Sequence, residues 1–200
     1  MNGSLRRVLP LAVALVAWST RADGYLSRPD AYRPLLTTVG GGVAVPTLDL
    51  RSDFIGATSS AGLDFGVRYE VGARLSAGGE LAWARFQQSS TLGDRFQMDA
   101  VSLGATVHYY FTGSEIQPYA GFGLGGLYRK AVLNGGPTQT GWGLCGGPEL
   151  GLLLTLREGL ALNVSARYEV TTASFDVNGD PDWKVKFPSW LGAQVGLALY

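Results

Sequence analysis

Residues 99–111 read DAVSLGATVHYYF. Val101, Leu103, Ala105, Val107, Tyr109 and Phe111 alternate with Ser102, Gly104, Thr106, His108 and Tyr110. A period of two sends successive side chains to opposite faces of a strand, so this stretch has one apolar face and one small or polar face. The same period recurs on both sides of it. Segment 62–72 sets Leu63, Phe65, Val67, Tyr69 and Val71 against Asp64, Gly66, Arg68 and Glu70. Segment 160–171 sets Leu160, Leu162, Val164, Tyr168 and Val170 against Asn163, Ser165, Arg167 and Glu169. In 141–156, Trp142, Leu144, Leu150 and Leu152 oppose Gly141, Gly143, Cys145, Gly147 and Glu149. Weaker alternation over 35–46, 79–88, 118–131 and 189–200 completes a set of eight predicted strands.

The connections between them alternate in length. Long ones fall near 47–60, 89–96, 132–140 and 174–188, short ones near 73–78, 112–117 and 157–159. An even number of antiparallel strands with long and short connections at opposite ends predicts an all-β, eight-stranded antiparallel transmembrane up-and-down β-barrel over residues 35–200. With the first strand rising from the periplasm, the four longer connections face outside.

Composition agrees. Of 200 residues, 29 are glycine and 16% are charged, against about 25% charged in an average soluble protein. Sixteen basic and 16 acidic side chains cancel, which argues against a nucleic-acid partner, and 46% hydrophobic residues argue against disorder. Cys145 is alone and cannot form an internal disulfide, and His108 is the single histidine, so neither a metal nor a cofactor is expected.

The N-terminus reads as an export signal. Arg6 and Arg7 precede an apolar run over 8–18, followed by small residues at Thr20 and Ala22. Residues 1–22 are therefore a predicted cleavable signal peptide and 23–34 a short periplasmic segment; the apolar run is too short to span a bilayer as a helix. Its removal takes Arg6, Arg7 and Arg21 and leaves a net charge of −3.

Alternation alone fits a soluble lipocalin-like barrel, apolar face inward, equally well. The membrane arrangement is favoured by the glycine, alanine and serine on the polar face, which suit a crowded lumen. It is favoured too by two aromatic levels on the apolar face. Tyr69, Tyr109 and Phe111 fall at one end of their strands, and Trp83, Tyr128, Trp142 and Tyr168 towards the other, as in the interfacial girdles of a membrane barrel. The sequence ends on an aromatic residue of its last strand.

The run HYYFTGSEIQPYAGFGLGGLY (108–128), an aromatic strand end, a short turn and a glycine-rich strand, resembles the small outer-membrane β-barrel superfamily. That superfamily includes the transmembrane domain of outer membrane protein A, outer membrane protein X and the opacity proteins. GGPELGLLLTLREGLALNVSARYEV (146–170) is similar to its glycine-plus-Glu strand leading to an Arg-Tyr strand. The resemblance covers roughly 35–200 and implies that Glu149 and Arg167 lie inside the barrel. Two features depart from the family. Pro148 lies within a strand, where a bulge is expected. Tyr200 is out of phase with Leu191, Val195, Leu197 and Leu199, so it is expected to point inward.

The inferred lumen carries Asp64, Arg68, Glu70, Glu80, His108, Arg129, Glu149, Arg167 and Glu169. Charges in so narrow a space are expected to pair across strands and fill it; the alternative is a gate in which partners of Glu149 and Arg167 exchange. His108 is the one candidate general base, but Ser102 lies about 20 Å from it along the strand, so no catalytic dyad and no enzyme are expected. Gly121-Phe122-Gly123-Leu124-Gly125-Gly126 matches a dinucleotide fingerprint but opens no helix. Asp176, Asn178, Asp180 and Asp182 alternate in the last long connection, read as a solvated acidic loop; Pro181 and the missing Glu exclude an EF-hand.

The expectation is an integral outer-membrane protein with a structural, envelope or surface-interaction role. A narrow channel or apolar-ligand carrier is the alternative, and a soluble lipid-binding barrel the third reading. Expected partners are outer-membrane lipids, lipopolysaccharide (met by Arg85, Lys130, Lys184 and Lys186) and the outer-membrane assembly machinery, around a monomer. Tethering to the cell wall is not expected.

Overall fold

A computed structural model describes residues 35–47, 59–72, 74–89, 95–112, 114–133, 135–136, 138–177, 180–186 and 189–200. The predicted signal peptide and periplasmic segment lie outside them. Ten strands follow in order: β1 (Leu35–Pro46), β2 (Ser59–Gly72), β3 (Leu75–Ser89), β4 (Arg95–Tyr110), β5 (Ile116–Leu133), β6 (Gln139–Arg157), β7 (Leu160–Thr171), β8 (Ser174–Val177), β9 (Asp180–Lys186) and β10 (Ser189–Leu199). Eight of them close into one barrel in the order β1-β10-β7-β6-β5-β4-β3-β2, each antiparallel to its neighbours. The apolar face of the alternation is outside: Leu63, Leu103, Leu124, Leu144 and Leu150 are each at least 60% exposed. Among the described residues no helix is long and apolar enough to cross a membrane. The closed sheet offers a spanning surface whose backbone polar groups pair from strand to strand.

The register fixes the geometry. Starting at Thr37, the paired residues run through Val67, Gly79, Ala105, Leu124, Gly146, Val170 and Ser189. Ser189 then accepts a hydrogen bond from the Thr47 amide, ten residues beyond the start. This stagger tilts the strands by roughly 35–45° and leaves an interior just wide enough for side chains.

Three details differ from the sequence reading. The ladder keeps its register past Pro148: Gly146 pairs with Val170 and Glu149 with Arg167, leaving two residues on each strand between. Pro148 is thus accommodated without a bulge, its ring on the exposed outer face. Strands β3 to β6 continue further into the long-connection end than alternation marked, with Gln88 paired to Phe96 and Phe96 to Leu133. The last long connection is not a plain loop, since β8 and β9 form a two-stranded ribbon there, Val177 paired with Asp180. Tyr200 packs against the inner cluster of Leu36, Tyr110, Tyr119 and Leu153, as its phase requires.

Candidate functional site

The lumen is built in layers. At its centre is a belt of charge organised by Arg167 on β7. Register alone places Arg167 beside Glu149 on β6. Closure of the barrel places Glu80 on β3 opposite, four strands away in either direction. The guanidinium spans the diameter between them. Its Nη2 donates to Glu149 Oε2 at 2.5 Å and to Glu80 Oε2 at 2.7 Å, Nε donates to Glu149 Oε2 at 3.2 Å, and Nη1 donates to Glu80 Oε1. Arg68 on β2 comes within 3.5 Å of Glu80. Forked, charge-assisted bonds of this kind offset the cost of taking carboxylates out of water.

His108 on β4 extends the belt towards the short-turn end. It is fully buried, with Nε2 3.5 Å from Glu149 Oε2 and its ring stacked on Tyr119 at 4.7 Å. The facing position is Gly121, where a Cβ would lie 2.5 Å from the imidazole Cδ2. Only glycine leaves room for the ring. Tyr119 donates its hydroxyl to Glu149 Oε1 at 2.8 Å and lies 3.0 Å from Asn163 Oδ1.

Apolar layers close the belt at both ends. At the short-turn end Leu36, Tyr110, Tyr119, Leu153, Ala161 and Ala198 pack together. At the other end a larger cluster contains Phe86, Met98, Leu127 and Trp190, with the Phe86 and Trp190 rings 5.4 Å apart. Between belt and outer cluster lies a cavity of about 50 Å³, bounded by Ser102, Leu127, Arg167, Glu169, Trp190 and Gln194, with a smaller one of about 20 Å³ beside it.

The alternation predicted nine charged or titratable lumen residues, and all nine fall on the inward face. Arg68, Glu80, His108, Glu149 and Arg167 come together. Asp64, on β2 opposite Ala82, borders this group. Glu169 stands above it and lines both cavities. Arg129, 1% exposed, sits at the long-connection end between Ala100 and Gly141, and Glu70 sits at the short-turn end opposite Ser76. Ser102 and His108 stay apart, opposite Ala82 and Ser76 respectively.

Sequence reasoning missed the apolar layers and Tyr119. The available signal was phase: Phe86, Met98, Leu127 and Trp190 are large apolar residues on the strand face that otherwise carries glycine, alanine and charge.

Outside, the aromatic residues lie on the exposed face. Tyr69, Tyr109 and Phe111 are 44–51% exposed near the short turns, the last two edge to face at 5.6 Å. The Tyr128 and Trp142 rings lie 4.7 Å apart, tilted by 48°, on the row that also holds Trp83, and Tyr168 is exposed on β7. Just beyond Trp83, Arg85 holds Asp99 by two bonds, 2.6 and 3.0 Å, and lies 5.5 Å from the Trp83 ring. Lys130 pairs across from Asp99, so these groups form one rim patch, while Lys184 and Lys186 lie on the β9 ribbon.

The family model described as outer membrane protein beta-barrel domain matches residues 11–196. Among solved structures, Neisserial surface protein A superposes with a TM-score of 0.61 at 16% identity, covering 82% of this chain and 96% of that one. The outer membrane protein OprG from Pseudomonas aeruginosa gives 0.50 at 20% identity, covering 84% and 96%. At these identities the likeness is one of fold. Among curated proteins none matches the chain.

Proposed function

Because the chain belongs to the outer membrane protein beta-barrel family and is an integral outer-membrane barrel, we propose that it works as a closed stave of the envelope whose outer face and long connections meet surface partners. The observation that carries this reading is Arg167. It spans the lumen between Glu80 and Glu149, with apolar layers above and below. A general diffusion pore does not fit such an interior. Purified protein in planar bilayers is expected to give no steady nanosiemens conductance; stable channels of that size overturn the reading.

The rim patch supports lipopolysaccharide as the lipid partner. Arg85 and Lys130 sit at the outer aromatic level, where guanidinium and ammonium groups meet headgroup phosphates, and Lys184 and Lys186 follow them in the ribbon. Removing all four by alanine substitution is expected to abolish lipopolysaccharide co-purification, and unchanged co-purification removes this role. The barrel is read as a monomer inserted by the outer-membrane assembly machinery. It is read as no enzyme, because His108 is sealed in the lumen between Tyr119 and Glu149, away from any outer-leaflet substrate.

A further inference from the structure

Parity puts Lys130, Tyr128 and Gly126 on one outward file of β5, leading away from the rim. Register sets Thr140 beside Lys130, Trp142 beside Tyr128 and Leu144 beside Gly126 on β6. On β4 the matching neighbours are Asp99, Val101 and Leu103. The charges of this patch are unequally committed. Arg85 is fastened to Asp99 by two bonds and lies 5.5 Å from the Trp83 ring. Lys130 is exposed, and among the described residues its ammonium has no ion-pair partner. Trp142, one step below, is 77% exposed, more than any other large apolar residue described. At Gly126 an added Cβ would meet nothing within 4 Å, while Leu103 and Leu144 on either side are 66% and 60% exposed. The wall is notched there between two projecting side chains.

From rim to wall the order is a free cation, an open aromatic face and an apolar notch. That is the order of groups in a phosphorylated glycolipid: phosphate, sugar ring, acyl chain. We propose that this strip of β4–β6 is the seat of a single phosphorylated glycolipid of the outer leaflet. The phosphate meets the Lys130 ammonium, with the Thr140 hydroxyl beside it. The sugar ring lies on the Trp142 indole, whose flat apolar face suits its C–H groups at the headgroup level. An acyl chain beds into the notch at Gly126, where a side chain would otherwise hold it off the sheet. A diacyl phospholipid supplies phosphate and chains but no ring for Trp142, so it fits less well. The proposal rests on the lipopolysaccharide reading above and narrows it: Lys130 carries the phosphate contact, and Arg85, neutralised by Asp99, does not.

The test uses the exported barrel, purified in detergent and titrated with diphosphoryl lipid A, with bound lipid measured by mass spectrometry of the intact complex. The wild type is expected to bind lipid A more tightly than phosphatidylglycerol. Lys130→Ala should weaken lipid A binding about tenfold, the worth of a charge-assisted hydrogen bond. Trp142→Ala should weaken it about threefold or more. Gly126→Leu fills the notch and should cost about fourfold, the worth of a methylene group. Ala193→Leu, the same kind of change on the exposed face of β10, should leave binding unchanged. Removing Arg85 and Asp99 together keeps the net charge and should leave binding within about twofold. If Lys130→Ala or Trp142→Ala binds lipid A like the wild type, or phosphatidylglycerol binds as well as lipid A, this site is wrong while the wider lipopolysaccharide reading stands. If the wild type binds no lipid A, both fall. Every variant is measured on protein that resists cold SDS. If Gly126→Leu does not reach that state, Lys130→Ala and Trp142→Ala, both at exposed positions, decide the matter.

Discussion

At the scale of the residue, Arg167 is the side chain on which the lumen turns. Glu149 is 2% exposed and Glu80 is 7% exposed, and both take their strongest bonds from the same guanidinium. Arg167→Ala leaves two carboxylates facing each other across a narrow interior. Breaking a buried pair by removing one partner costs about 3–5 kcal/mol, and that loss is expected in urea unfolding of the refolded barrel. Arg167→Lys keeps the charge but not the planar fork, so it should recover part of the loss and not all of it. A variant as stable as the wild type would show that the belt is hydrated and weakly coupled. The members of this belt were legible in the sequence, because parity along each strand fixes which side chains face inward. Their partners were not. The pairing of Arg167 with Glu149 follows from neighbouring strands, but its pairing with Glu80 depends on closure and on the ten-residue stagger, which no single strand encodes.

At the scale of the element, the seam between β6 and β7 and the ribbon behind it are informative in opposite ways. Gly147 lies so close to β7 that a Cβ there would run into the Tyr168 carbonyl. Gly147→Ala should therefore force the seam apart and cost about 1–3 kcal/mol, seen as a lower midpoint of heat denaturation, although alanine is otherwise at home on the lumen face. Pro148 causes no slip: the strands stay in register on either side of it, and its missing N–H falls where two residue pairs lie outside the ladder. The β8–β9 ribbon forms a two-stranded sheet of its own, outside the barrel ladder. Replacing Ser174–Lys186 by a short Gly-Ser connection is expected to leave barrel stability within about 0.5 kcal/mol, measured by the same midpoint. The acidic alternation concealed this hairpin in the sequence, yet Asn178-Gly179 between Val177 and Asp180 is a strong short-range hairpin signal.

At the scale of the whole molecule, the same alternation builds either a soluble barrel or a membrane one, and what separates them is the solvent each face meets. The exposed face here is a continuous apolar wall between two aromatic levels, with the charge inside. Leu81 tests this directly. It is 47% exposed on β3, between Ala77, which pairs with the lower-level Tyr69, and Trp83 of the upper level. In a bilayer, Leu81→Arg places a guanidinium near the midplane and should cost about 2–4 kcal/mol. In water the same exposed substitution would stay within about 0.5 kcal/mol. Comparing the two predictions requires the protein folded in lipid vesicles, with unfolding followed by the change in mobility between unboiled and boiled samples in SDS. A folded wild-type barrel should resist cold SDS and shift on boiling, and Leu81→Arg should lose that resistance at lower urea. At Ala82, one residue on and lining the lumen cavity of about 50 Å³, a polar side chain small enough for that space, Ala82→Ser, should be tolerated within about 0.5 kcal/mol. If both positions respond alike, the lipid and the lumen are not distinguished by the strand phase, and the inverted arrangement of this barrel is wrong.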